Sequence, residues 1–104
     1  MKDQNRLQEL LDDATVDCYD EEEEFSGVLC TLDGNLNYPL QATALGEIVE
    51  VFGLDGSRSG LRHGIIAKVR KGEQEHRVVL SELKFIDLDP TSTEWLAMYR
   101  YWLG

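Results

Sequence analysis

The chain is predicted to adopt an α+β fold: N-terminal helices, a small, strongly bent antiparallel sheet or partial barrel, and a C-terminal helix packed on it. Three observations predict this. Apolar residues recur every three or four positions through the first third; the period drops to two in the middle; and helical spacing returns at the end. At 104 residues the length suits one modest core, so residues 1–104 are read as a single domain.

The first helix is expected over about residues 3–16, where Leu7, Leu10, Leu11 and Ala14 share a face. Phe25, Val28, Leu29, Leu32 and Leu36 mark a second helix that ends near Asp33–Asn35, with Gly34 as terminator and Pro39 beyond. Strands follow at 47–53 (EIVEVFG), 65–71 (IIAKVRK), 76–80 (HRVVL) and 83–87 (LKFID). Gly72 supplies a hairpin turn, and residues 54–64 form a longer glycine-rich loop. The last helix is capped at Thr91 or Ser92, with Glu94 placed as in a capping box, and presents Trp95, Met98 or Tyr99, and Trp102 as one apolar stripe. Those tryptophans are read as core anchors.

The formal charge of −10 is unevenly spread. Residues 1–45 carry eleven acids against Lys2 and Arg6, whereas residues 46–104 carry nine acids and eight bases. A field of that sign repels nucleic acid and anionic lipid and attracts cations or basic partners, so no nucleic-acid or membrane partner is expected. No apolar run is long enough to span a bilayer, and the opening MKDQNRLQELLDD lacks a signal-peptide core, which points to a cytoplasmic protein. Cys18 and Cys30 are too few to staple a secreted fold and form no CxxC pair, which argues against zinc.

The negative charge concentrates in DCYDEEEEFSGVL, residues 17–29. Asp20 can cap the second helix with Glu23 completing a box, and carboxylates in a first turn gain about 0.3–1 kcal/mol each from the helix dipole. That explains two or three of the acids. Eight of the thirteen residues from Asp12 to Glu24 are carboxylates. In an unbroken helix from Glu9, eight like-charged pairs at three- or four-residue spacing would cost roughly 2–4 kcal/mol in sum. Two readings stay open on this composition: a solvated acidic face, or a site for a hard divalent cation. Calcium takes six to eight oxygen ligands in irregular geometry and suits such a cluster better than magnesium or zinc. His63 and His76 stand alone and are read as ordinary surface histidines.

The chain has no EF-hand. A loop starting at Asp33 offers Asn35 and Asn37 but puts Tyr38 at the glycine position and Ala44 at the bidentate glutamate position. A loop starting at Asp55 places Ser57, Ser59 and Gly60 suitably but ends on Ile66. A calcium site must therefore be assembled from separated segments.

DCYDEEEEFSGVL, DGNLNYPLQATALGE, RSGLRHGIIAKVRKG, LSELKFID and the closing EWLAMYRYWL together resemble the cyanobacterial CcbP-type family of calcium-binding proteins, over about residues 17–103. The resemblance implies a compact α+β protein that binds Ca2+ without an EF-hand, through surface carboxylates, and that buffers cytosolic calcium. The positions of this chain matching acidic family segments are Asp20, Glu21, Glu22, Glu23, Glu24, Asp33 and Asp55. Asp87 and Asp89 match as well, although acids between a strand and a helix are often turn residues. The expected function is thus that of a calcium buffer or sensor.

The alternative is an acidic protein-interaction module, since residues 56–86 carry a net charge of +4 on which an acidic segment could dock. Catalysis is not expected: there is no GxSxG, P-loop or CxxC, and the tetra-glutamate run reads as solvated rather than poised for proton transfer.

Overall fold

The computed structural model describes residues 2–104, with side chains from residue 5 onward. Its elements are three helices, α1 (Lys2–Ala14), α2 (Glu21–Asn35) and α3 (Pro90–Leu103), and five strands, β1 (Leu40–Ala44), β2 (Glu47–Leu54), β3 (Ile66–Lys71), β4 (Gln74–Val79) and β5 (Lys84–Ile86). They fall into two compact units, one of residues 1–36 with 90–104 and one of residues 37–89.

In α1 and α2 the stripes read from the sequence hold the buried residues, whereas in α3 the buried face is Ser92, Leu96, Met98 and Tyr99, and the two tryptophans expected as core anchors sit at its margin. Leu10 and Ala14 of α1, Phe25, Val28 and Leu32 of α2, and Leu96, Met98 and Tyr99 of α3 are all buried, as is Leu36 just beyond α2. The ring of Trp102 lies 6.0 Å from Phe25 and 6.3 Å from Tyr99, so it helps cover the core while remaining half-buried itself. Trp95 is half-buried too. At the surface, the guanidinium of Arg6 reaches Glu94 at 3.0 Å and the Tyr101 hydroxyl donates to Gln8 at 2.7 Å, which ties α1 to α3.

α2 ends at Asn35, within the stretch expected, but Gly34 sits inside its last turn and does not terminate it; the helix stops because Leu36 turns extended (ψ 134°), while its N–H still bonds the Leu32 carbonyl. α3 begins at Pro90, ahead of Thr91 and Ser92, because proline lacks the N–H that the first turn would leave unbonded anyway. Ser92 is fully buried within the helix instead of capping it.

The sheet unit is a five-stranded antiparallel sheet in the order β4-β3-β2-β1-β5. The edge strands β4 and β5 do not pair, so the sheet is open and not a barrel. Leu40, Ala42, Val49, Val51, Ala67 and Val69 are buried on one face, and the pairs Ala42↔Val49, Leu40↔Val51 and Val51↔Val69 stack them across the strands. β1 (LQATA) is a strand beyond those expected from the sequence. The β3–β4 hairpin turns on Gly72 (φ 61°) and Glu73, with glycine at the first central position as a type II′ turn needs. The β1–β2 hairpin turns on Leu45 and Gly46, both left-handed (φ 51° and 80°).

Candidate metal centre

The acidic run sits where α1 ends and α2 begins. Thr15 closes α1 by donating both its N–H and its hydroxyl to the Leu11 carbonyl, at 3.0 and 2.8 Å. Asp17 then takes a left-handed conformation (φ 60°), a turn open to aspartate at modest cost. The chain turns again at Asp20, whose backbone is extended (φ −139°, ψ 175°) and whose carboxylate accepts the Glu23 N–H at 2.8 Å. This is the N-cap read from the sequence. The reciprocal half of the box is shifted by one residue: the Glu23 carboxylate accepts from the Tyr19 N–H at 3.2 Å, not from Asp20.

This break between helices relieves part of the like-charge repulsion. The pairs 13/17, 17/20 and 17/21 no longer share a helix, since α1 stops at Ala14 and α2 starts at Glu21. Glu21 to Glu24 remain in the first turn of α2, where the positive end of the dipole favours them. Asp20, Glu21, Glu22 and Glu23 are exposed and Glu24 is half-exposed. None of the carboxylates between Asp12 and Glu24 forms an ion pair among the described residues: every ion pair there involves Glu9, Glu47, Glu50, Asp55, Glu75 or Glu94.

The connection is packed as well as charged. Gly27, in the middle of α2, faces the Ala14 carbonyl and the Cys18 sulfur. A Cβ on it would stand 3.1 Å from that sulfur and far closer to the carbonyl oxygen than real Cβ atoms come. The Cys18 thiol donates to the Glu23 carbonyl at 3.3 Å. Burial pushes its pKa up, and the charges of Glu23, Glu24, Asp17 and Asp20 raise it further. The sequence alone gave no sign of this packing beyond a glycine placed between the core residues Phe25 and Val28.

The remaining sequence candidates are Asp33 and Asp55. Asp33 is nine residues beyond Glu24 on the same helix, about 13 Å along the axis at 1.5 Å per residue, so one ion cannot bind both. Asp55, in the sheet unit, organises its own loop. Its Oδ1 accepts from the Ser57 hydroxyl at 2.7 Å and the Arg58 N–H at 3.3 Å, and its Oδ2 accepts from Arg77 Nε at 2.7 Å. The Ser57 and Arg77 hydrogen bonds bring its pKa down to about 2. The Arg77 partnership depends on strand register, which the sequence does not display. Three other basic residues between 56 and 86 form ion pairs in the same unit: Arg58 with Asp55, Lys71 with Glu47, and Arg70 with Glu50 and Glu75, while Arg70 also lies 4.6 Å from the Phe52 ring centroid.

Among the described residues no three or more His, Cys, Asp or Glu side chains are gathered closely enough to hold a metal ion. The donor chemistry at the α1–α2 turn is nonetheless that of a hard cation, with carboxylates in excess, backbone carbonyls at the end of α1 and no basic side chain in its last turn. No helix is long and apolar enough to cross a membrane.

Comparison with known proteins fits this chemistry. The crystal structure of Anabaena CcbP superposes with a TM-score of 0.83 at 25% identity, covering 96% of this chain and 89% of that one. A calcium-binding protein in its calcium-binding form shares the fold, with a TM-score of 0.78 at 24% identity and coverage of 96% and 90%. No curated protein matches the chain by sequence. The family model described as calcium binding, that of the CcbP proteins, matches residues 8–103, so the chain belongs to the CcbP calcium-binding family.

Proposed function

We propose that this protein is a cytoplasmic calcium buffer or sensor that takes Ca2+ through the carboxylates of Asp20, Glu21, Glu22, Glu23 and Glu24. The observation that carries this reading is the lack of compensation: the acids of the α1–α2 turn have no ion-pair partner among the described residues, while Glu47, Glu50, Asp55 and Glu75 in the sheet unit each have one. A dication would supply the missing charge. The scattered arrangement of the donors means that binding draws side chains and turn together, so calcium tightens this region.

Asp33 and Asp55 are secondary donors in this proposal. Asp33 would serve an ion different from the one at Glu24, and Asp55 would have to release Arg77 to bind one. Exposed and incompletely assembled sites hold calcium less tightly than preformed cages, so micromolar affinity is expected, which suits buffering.

Titration calorimetry with CaCl2 and MgCl2 at physiological salt tests the site. Replacing Glu21, Glu22, Glu23 and Glu24 together by glutamine should remove most calcium uptake while leaving the far-ultraviolet circular dichroism unchanged. Unaltered stoichiometry and affinity in that variant would take the site away from this turn.

A further inference from the structure

The two cysteines, twelve positions apart and outside any CxxC motif, line one groove. Its walls are Cys18, Asp20, Glu22, Glu23, Ser26, Gly27 and Cys30, with an open volume of about 500 Å³. Both thiols are free; Cys18 is half-buried and Cys30 exposed. Their approach follows from the helix. The Cys18 sulfur sits over the residue 23–27 step of α2, bonded to the Glu23 carbonyl and 3.1 Å from where a Gly27 Cβ would be. Cys30 is three residues beyond Gly27, so its Cβ lies one turn up the same face, about 5–6 Å from that position. Cys18 and Cys30 both line the groove, and Ser26 and Gly27 lie on the α2 stretch between them. A glycine at position 27 lets the Cys18 sulfur lie against α2 at that turn.

We propose that Cys18 and Cys30 form a redox pair that closes to an intramolecular disulfide when a peroxide oxidises the protein. The exposed Cys30 sulfur attacks one peroxide oxygen, the O–O bond breaks, and the departing hydroxide takes a proton to leave as water, giving a sulfenic acid on Cys30. The Cys18 sulfur then attacks the Cys30 sulfur, the S–O bond breaks, and the hydroxyl leaves with the Cys18 proton as a second water. Both thiols are oxidised, the peroxide is reduced, and no other reactant is consumed. The closed loop spans residues 18–30 and contains the whole run Asp20–Glu24, so the bond would clamp the turn onto the flank of α2.

The reaction is read by treating the reduced full-length protein with hydrogen peroxide, blocking remaining thiols, and mapping peptides without reduction. The expected product is a monomer in which Cys18 and Cys30 are joined, formed at least about tenfold faster in the folded chain than in the same chain in urea, because folding holds the sulfurs near each other. Cys30→Ser should leave Cys18 reduced at the same peroxide exposure. Disulfide-linked dimers, a Cys30 carried on to sulfinic acid while Cys18 stays titratable, no reaction at all, or equal rates folded and unfolded would each overturn the pairing. None of these readouts depends on calcium, so they stand apart from the fate of the metal site.

Discussion

Gly27 and Gly34 lie seven residues apart on α2, and the same substitution at each should move stability in opposite directions. At Gly34 an added Cβ meets nothing within 4 Å, so alanine brings only the gain in helix propensity, up to about 1 kcal/mol and somewhat less in a last turn. At Gly27 the propensity gain is similar, but the methyl runs into the Ala14 carbonyl and presses on the Cys18 sulfur. A backbone oxygen cannot swing aside as a side chain can, so α1 and α2 must separate locally, and overpacking of that kind costs about 1–3 kcal/mol. Taking the difference between Gly27→Ala and Gly34→Ala removes most of the propensity term and leaves that 1–3 kcal/mol as the quantity to be measured. Urea unfolding of both variants and the parent gives it directly. In thermal melts each kcal/mol corresponds to roughly 4–8 °C for a domain near this size. Should Gly27→Ala stabilise as much as Gly34→Ala, the close approach of the α1 terminus to α2 is refuted, and with it the structural account of how the acidic turn is held.

Other expectations follow from single residues. Leu45 is fully exposed at the tip of the β1–β2 hairpin with a positive φ, so Leu45→Asn forfeits no burial and suits a left-handed position before Gly46; a gain of about 1 kcal/mol is expected in urea unfolding, and a loss would show that Leu45 packs against something. Asp55 has a pKa of about 2 in the folded chain against an ordinary 3.8, so its contribution is present above pH 3.8 and disappears as pH falls toward 2. Carboxyl NMR should find it titrating near pH 2, and Asp55→Asn should flatten the acid limb of the stability curve; titration at the ordinary value would contradict the Ser57 and Arg77 hydrogen bonds. Saturating Ca2+ at about a hundredfold excess over Kd should stabilise the protein by about 2.7 kcal/mol, an effect that equal ionic strength of NaCl must not reproduce.

What the sequence displayed well was periodicity. The leucines of α1, the Phe25–Leu36 stripe and the alternation in β2 and β3 each mapped onto a buried face, because one amphipathic pattern dominates each of those segments. β1 was illegible: LQATA has weak strand propensity and a single large apolar residue, and it becomes a strand by pairing with β2 on one side and β5 on the other. The sheet's openness was equally hidden, since strand count does not reveal that β5 joins β1 at the far edge. For the candidate site, the N-cap at Asp20 was readable from local spacing. The engagement of Asp55 with Arg77 and the packing of Ala14, Cys18 and Gly27 are tertiary, and no local pattern encodes them.

The position of the acids on α2 shapes how calcium would be held on the proposed reading. The dipole already favours Glu21 to Glu24 as free anions, and Glu23 also accepts the Tyr19 N–H, while the same positive helix end opposes a cation placed on its axis. An ion bound by these carboxylates therefore belongs off the α2 axis, on the side of the connecting turn. There the end of α1 offers the opposite polarity, carbonyl oxygens with no basic residue in the last turn, next to Asp12, Asp13 and Asp17. Calcium accepts such a mixture of carboxylate and carbonyl donors without a strict geometry, whereas magnesium demands near-octahedral placement and parts with its water reluctantly. Selectivity for Ca2+ over Mg2+ would thus come from disorder in the donor positions rather than from a fitted cage, at the expense of affinity. Because the donors are exposed, that affinity should also fall as monovalent salt screens them, which a cage buried from solvent would resist.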